Sequence, residues 1–441
     1  MTAHRRLHKA GSAALLMILL AMIAPAAAGQ TPAVTLDQAI KMAQQITPSV
    51  VTAVGNVRTA DASVRSAKGE YLPNLNANSS GVTAFAGGPS RVNPITGVIQ
   101  SGNATSTTVS AGLSATINLF TGFQRGADNR AARANQTAAV SNLTNARYQV
   151  ALTVTEQFFA ALAAQQLVAV QEASVRVAKE QLDQSIAKLH VGAATRADSL
   201  SSLVNLGTAE LNLVSAQSSV ASTQAGLGRA VGASGSVAAA DDSAFYKFTL
   251  GLDTLELLKE ALANSPSVQA ANASADAARA TITSAKAAYW PTVYLTGSTS
   301  WLGSHNLDYQ LYPQRSLTLG LTWPIFSRFQ REQTITVNEA AYDAAEATAQ
   351  DTRRAVQANL ATQIAALRAA QVQIGITRTS VDAATENLRV EDERYKVGAA
   401  TIVDVLTAQA SLAQAGVNEV NARFAYLNAK AQIEAIIGRP L

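Results

Sequence analysis

A chain that aligns with itself at a fixed offset is constrained to fold as two copies of one unit. VGAAT occurs at 191–195 and again at 397–401, an offset of 206 residues. The same offset matches Asp198 to Asp404, Leu200 to Leu406, Leu206 to Leu412 and Gly232 to Gly438. Upstream, LFTGFQR (119–125) answers IFSRFQR (325–331). Before Pro73 the offset becomes 218: Pro48-Ser49-Val50 match Pro266-Ser267-Val268, and Ala67, Lys68, Tyr71 and Pro73 match Ala285, Lys286, Tyr289 and Pro291. The 12-residue difference is an insertion between Pro73 and Leu119, a window that holds AGGPSRVNPITGVIQSGN (86–103). That composition reads as a flexible loop.

Both halves follow one plan. A helical stretch (about 36–71 and 254–289) ends at a proline, and a β region follows. In VSAGLSATINL (109–119), Val109, Ala111, Leu113, Ala115, Ile117 and Leu119 share one face. In SLTLGLTW (316–323), Leu317, Leu319, Leu321 and Trp323 do the same. Period-2 alternation of this kind marks strands with one apolar face. Partner strands at roughly 74–85 and 292–301 give one hairpin per half. From Ala127 to Val191 there is neither Gly nor Pro, and the copy at about 330–396 is interrupted only by Gly375. At 1.5 Å per residue such a helix is about 100 Å long. After each VGAAT comes a shorter helix (196–231 and 402–437). Stacked on the first helix of its half, it matches the long one, and its small side chains allow close packing.

Arg5, Arg6 and Lys9, the apolar stretch Ala10–Ala24 and Ala26-Ala27-Ala28 stand in the order of a secretory signal peptide. The formal net charge of +4 falls to +1 without those three cations, so the basic balance does not indicate a nucleic-acid partner. Cysteine is absent. An exported chain without disulfides relies on packing or assembly. No later stretch reads as a membrane-spanning helix, so a membrane role falls to strands. Four strands are too few to close a barrel. An open sheet with one apolar face leaves edges and a greasy surface exposed. Several chains contributing four strands each resolve both problems. Phe120, Tyr289, Trp290, Trp301, Trp323 and Phe326 cluster near strand ends, as interfacial girdle residues do; for Tyr289 and Phe326 junction packing is the simpler reading. The expected organisation is a signal segment 1–28, a first repeat 29–232 (hairpin about 74–119, long helix about 125–191), a linker 233–253, and a second repeat 254–441 (hairpin about 292–326, long helix about 330–397).

LDQAI (36–40) followed by Pro48-Ser49-Val50, the Tyr71–Pro73 and Tyr289–Pro291 sequences, the exits LFTGFQR and IFSRFQR, and above all YKVGAATIVDVLTAQASLAQA (395–415) resemble the TolC family of outer-membrane efflux and secretion channels. The resemblance covers essentially the whole chain after the signal segment. It implies a mainly α fold with a small β-barrel part: a homotrimer with a 12-stranded outer-membrane barrel continued by a 12-helix periplasmic tunnel. It also implies an inner-membrane pump and a periplasmic adaptor as partners. The tip turns Val191, Gly192, Ala193, Ala194, Thr195 and Val397, Gly398, Ala399, Ala400 would meet the adaptor and form the constricted entrance.

Thr195-x-x-Asp198 and Thr401-x-x-Asp404 have the form of capping boxes. In a trimer the same aspartates would ring the entrance with negative charge, which favours cations. Asp404 is the stronger candidate by resemblance. The family's entrance arginine and second aspartate are replaced here by Ala400 and Thr407, which puts that latch in question. Tyr395 is kept, although its counterpart in the first repeat is Leu189, and Arg196 is a candidate substitute. Of four histidines, His4 and His8 fall in the signal segment, leaving His190 and His305. No phosphate loop, metal cluster or nucleophile constellation is legible, so neither an enzyme nor a cofactor is expected. The alternative is a non-channel periplasmic coiled-coil scaffold or adaptor, against which the lipid-type strands argue.

Overall fold

The computed structural model describes residues 32–100, 104–247, 253–304 and 310–441. The expected signal segment 1–28 and His305 lie outside the described residues. β1 (Ala33–Val34) leads into α1 (Leu36–Ile46) and α2 (Pro48–Gly69). Strands β2 (Asn74–Ala86), β3 (Arg91–Val92), β4 (Ile99–Gln100) and β5 (Ala104–Thr121) follow, then the long α3 (Gln124–His190) and α4 (Arg196–Val231). β6 (Ala238–Ala239) and a 3-10 turn at Ser243–Tyr246 lie before the second half. That half comprises α5 (Thr254–Asn264), α6 (Pro266–Lys286), β7 (Thr292–Ser304), β8 (Tyr312–Thr322), α7 (Gln330–Lys396) and α8 (Ile402–Ile437).

The two long helices have 67 residues each, and the two that return from the tips have 36 each. Helix α7 runs through Gly375 unbroken. The opening helical stretches, by contrast, are each split in two. Thr47 and Ser265 are extended (ψ 128° and 125°), because a following proline ring disfavours helical backbone in the residue before it. Pro48 and Pro266 then start new helices, where a missing N–H costs nothing.

β2, β5, β7 and β8 form one antiparallel sheet in that order. Its register sorts the side chains into two surfaces. One carries the rows Asn74–Thr116–Thr296–Thr318 and Asn76–Ser114–Ser298–Ser316. Hydroxyl pairs such as Thr116–Thr296 (3.0 Å) and Ser298–Ser316 (2.7 Å) knit this face together. The other face carries Ile117–Leu295–Leu319, with Leu75, Leu113, Val293, Leu317 and Leu321 around it. The alternation ends at a bulge: Asn118 pairs with Tyr294 and Phe120 with Val293, leaving Leu119 as the extra residue. The loop expected to be flexible contains a closed turn. β3 pairs with β4, and Asn93 Oδ1 accepts from the Ile95 N–H at 3.0 Å.

Each long helix starts from a left-handed phenylalanine, Phe123 (φ 68°) or Phe329 (φ 64°). Two residues on, an arginine clamps the joint. Arg125 donates to the Leu119 carbonyl (3.0 Å) and lies 4.8 Å over the Tyr71 ring. Arg331 donates to Pro324 (2.9 Å) and Ile325 (3.1 Å) and lies 4.8 Å over Tyr289. The repeated Tyr-x-Pro and FQR sequences are thus two sides of one strand-to-helix joint. Trp323 Nε1 also donates to the Tyr289 carbonyl (3.2 Å), while Phe326 is exposed and edge-on to Phe329 at 5.6 Å.

The main apolar core lies at mid-length, where Val154, Phe158 and Leu162 of α3 meet Leu227, Leu360, Ile364, Phe424, Tyr426 and Ile433. By composition alone α3 has one window apolar enough to cross a membrane, but its largest apolar side chains belong to this core. The segment read as a linker is packed: Ala238–Ala239 pair in parallel with Ala33–Val34, and the Phe245 ring meets Phe159 edge-on at 5.4 Å.

Candidate functional site

The VGAAT sequences sit where each long helix stops, about 100 Å from the sheet by helical rise. Both are closed by the same hydrogen bonds. The N–H of Ala193 donates to Lys188 O (2.8 Å) and that of Gly192 to Leu189 O (3.1 Å). Ala399 donates to Arg394 O (2.8 Å) and Gly398 to Tyr395 O (3.2 Å). This is a Schellman closure, and it needs a left-handed residue after the helix. Gly192 (φ 75°) and Gly398 (φ 78°) supply it. A Cβ at either glycine would meet open space, so only the backbone conformation selects glycine. Gly398→Ala is therefore expected to destabilise the tip by about 1–2 kcal/mol, with Gly398→Asn costing less because Asn tolerates this region. Amide exchange of residues 394–404 reads the difference.

Thr195 and Thr401 then start the returning helices. The Asp198 N–H donates to Thr195 Oγ1 (3.2 Å), and the Thr195 N–H donates to Asp198 Oδ2 (2.8 Å). The second copy repeats the reciprocal pair at 3.3 and 2.8 Å, and Thr401 Oγ1 adds a third bond to Asp404 at 2.7 Å. Hydrogen bonds from the Thr401 hydroxyl and backbone hold the Asp404 carboxyl below its usual range, with Arg394 adding a smaller effect. Its capping contribution is present above the ordinary carboxylate pKa and is lost as pH falls through the depressed one.

The two tips differ in their packing. In the second, Tyr395 is 6% exposed and forms a small cluster with Ile402 and Val405, edged by Leu388, Ala400 and Leu406. Burial raises the Tyr395 hydroxyl pKa, and the nearby Asp198 charge raises it further. In the first tip the buried residues are Gln181, Ser185 and Ser202. Asp404, Thr401 and Arg196 are exposed and Asp198 is half-buried. Val191 and Val397 are 78% and 79% exposed at the two extremities. Ala193 and Ala399 are exposed, and Ala194 and Ala400 are half-buried.

Two cross-hairpin contacts escape a reading of local motifs. Lys188 Nζ donates to the Tyr395 carbonyl and lies 3.8 Å from the centroid of its ring. Asn205 donates to Gln409 Oε1 at 2.8 Å. The only trace of the first in the sequence is that Lys188 answers Arg394 across the repeat, a basic residue three positions before each VGAAT.

The family model described as outer membrane efflux protein matches residues 39–233 and 257–439. The outer membrane efflux protein BepC of Brucella suis biovar 1 (strain 1330) is 26% identical over 337 residues, covering 75% of this chain and 73% of that protein. The outer membrane protein VceC of Vibrio cholerae superimposes with a TM-score of 0.75 at 19% identity, over 92% of this chain and 96% of that one. The CmeC outer membrane channel of Campylobacter jejuni gives a TM-score of 0.78 at 18% identity, over 91% and 85%.

Proposed function

The chain belongs to the outer membrane efflux protein family, and from that premise we propose that three copies of it build one continuous duct from the periplasm to the exterior. As a member it is an efflux protein of the outer membrane, and the family is one of transport proteins rather than enzymes.

The observation that carries the trimeric reading is the two-faced sheet with unpaired edges. Among the described residues, β2 and β8 each have a neighbour on one side only. Three sheets joined β8 to β2 close into 12 strands, which leaves no edge open. The Leu-rich face then meets lipid and the Ser/Thr/Asn face lines a water-filled lumen. Below the barrel, Leu200, Leu203, Val204, Leu211 and Val214 of α4 are all more than half exposed in a single chain. Their helical spacing forms a stripe that a neighbouring copy would cover. Six long helices and six stacked pairs make the 12-helix tunnel.

In this assembly the VGAAT turns converge on the axis at the periplasmic end. Val191, Gly192, Ala193 and Ala194, with Val397, Gly398, Ala399 and Ala400, present the surface that a periplasmic adaptor docks on, and that adaptor links the duct to an inner-membrane pump. Asp404 and Asp198, with Thr401, Tyr395 and Arg196 around them, form the constricted entrance. On this reading the repeat boundaries at 29–232 and 254–441 separate two helical hairpins of one ring.

Conductance across planar lipid bilayers tests the proposal. The trimer is expected to pass small, cation-biased currents, and Asp404→Ala to shift the reversal potential towards non-selectivity, because it removes three charges from the constriction. Unchanged selectivity would remove Asp404 from the entrance. Recovery of the protein wholly in the soluble periplasmic fraction would overturn the duct itself.

A further inference from the structure

We propose that Lys188 is the closing latch of each protomer, locking the tip of the first helical hairpin onto the second. The inference rests on the reading above that the tips form the entrance, and it adds the residue that holds them shut.

The latch has a fixed strike plate. Tyr395 is buried against Ile402 and Val405, so its ring and carbonyl are held in place by packing. Lys188 comes from the last turn of α3, crosses to the last turn of α7, and engages both features of that one residue. A cation at this point also lies at the C-terminal ends of two long helices, where the helix dipoles concentrate negative potential. Charge-assisted bonding to the carbonyl and attraction to the ring face act on the same ammonium.

Several polar groups beside this contact are unpaired. The face of α3 that carries Lys188 also carries Gln181, Gln184 and Ser185, by helical spacing. Gln181 Nε2, Gln184 Oε1 and, on α4, Ser199 Oγ are buried and make no hydrogen bond among the described residues, and neither does the Tyr395 hydroxyl. Lys188 and the Asn205–Gln409 bond (2.8 Å) tie the first hairpin to the second here. The repeat does not supply a second latch. Arg394, the counterpart of Lys188, places its guanidinium on Glu391 (2.8 Å) and Ala399 O (3.3 Å) inside its own hairpin, and Tyr395 is replaced by Leu189 in the first copy. One latch per chain gives three around the trimer.

Lys188→Met keeps the stem and removes the cation. In the full-length trimer it is expected to accelerate amide exchange of residues 385–405 about tenfold, the scale of one desolvated cation–π contact with its hydrogen bond, and to raise single-channel conductance at least about twofold by widening the constriction. Lys188→Arg should restore both, since a guanidinium donates and stacks. Wild-type exchange and conductance in Lys188→Met, or an equal rise in Lys188→Arg, would overturn the latch. If Lys188→Met speeds tip exchange while even the wild-type protein conducts nothing, the latch stands and the duct reading falls. If the wild type conducts and Lys188→Met leaves tip exchange unchanged, the duct stands and the latch falls.

Discussion

Leu319→Arg is expected to abolish the proposed membrane-embedded trimer, while Thr318→Arg, one residue away, leaves it assembled. Leu319 lies near the middle of β8, is 68% exposed in a single chain, and stands in register with Leu295 and Ile117. An arginine on the lipid face of a barrel costs about 2–4 kcal/mol at the bilayer midplane. Three-fold repetition applies that cost three times to the proposed assembly, a sum comparable to the whole stability margin of an ordinary fold. Thr318 belongs to the opposite ladder face, beside Thr296, which the proposed barrel turns to a water-filled lumen that accepts a charge with little penalty. Heat-modifiable trimer in outer-membrane fractions reads both variants. Equal tolerance of the two would mean that the odd-numbered face of the sheet does not meet lipid.

The contrast between adjacent residues was legible in the sequence, because alternation over 316–323 is a local signal with the period of a strand. The long helices were legible for a similar reason: 65 consecutive residues without Gly or Pro leave few other choices. The capping boxes at Thr195 and Thr401 are local as well, spanning four residues each. What escaped reading arises mainly from contacts distant in sequence. Lys188 and Tyr395 are 207 positions apart, and nothing in either neighbourhood announces the other. Phe245 looked like part of a linker because 233–253 has no periodicity, yet its ring completes a cluster on α3. The bulge at Leu119 was hidden by a strand whose apolar spacing continues through it. The break at Thr47 is different in kind. Pro48 signalled it, but the same proline also marks the repeat, and a helix boundary inside a repeated unit disturbs no match between the halves.

Phe158→Ala is expected to destabilise the folded chain by about 3–5 kcal/mol, the cost of emptying a fully buried aromatic site. Phe158 has no exposed surface, and its ring lies edge-on to Phe159 and Phe245, each 6.0 Å away. Phe159 in turn lies 6.3 Å from Phe424 of α8. The cluster therefore ties three parts of the chain together at mid-length: the long helix of the first repeat, the segment between the repeats, and the returning helix of the second. Removing the Phe158 ring should release the 233–247 segment as well as lower stability, because Phe245 loses one of the two rings it packs on. Phe158→Leu retains much of the volume and should cost less than about 1.5 kcal/mol. Phe245→Ala alone should be milder than Phe158→Ala. The double variant should fall short of the sum of the two, since each removes the partner of the other. Thermal unfolding of the purified protein followed by circular dichroism gives the magnitudes, and limited proteolysis shows whether cleavage within 233–247 rises with them. Additive losses, or a 233–247 segment as resistant as in wild type, would mean that the connection between the repeats is held by its β1–β6 pairing and not by the aromatic cluster.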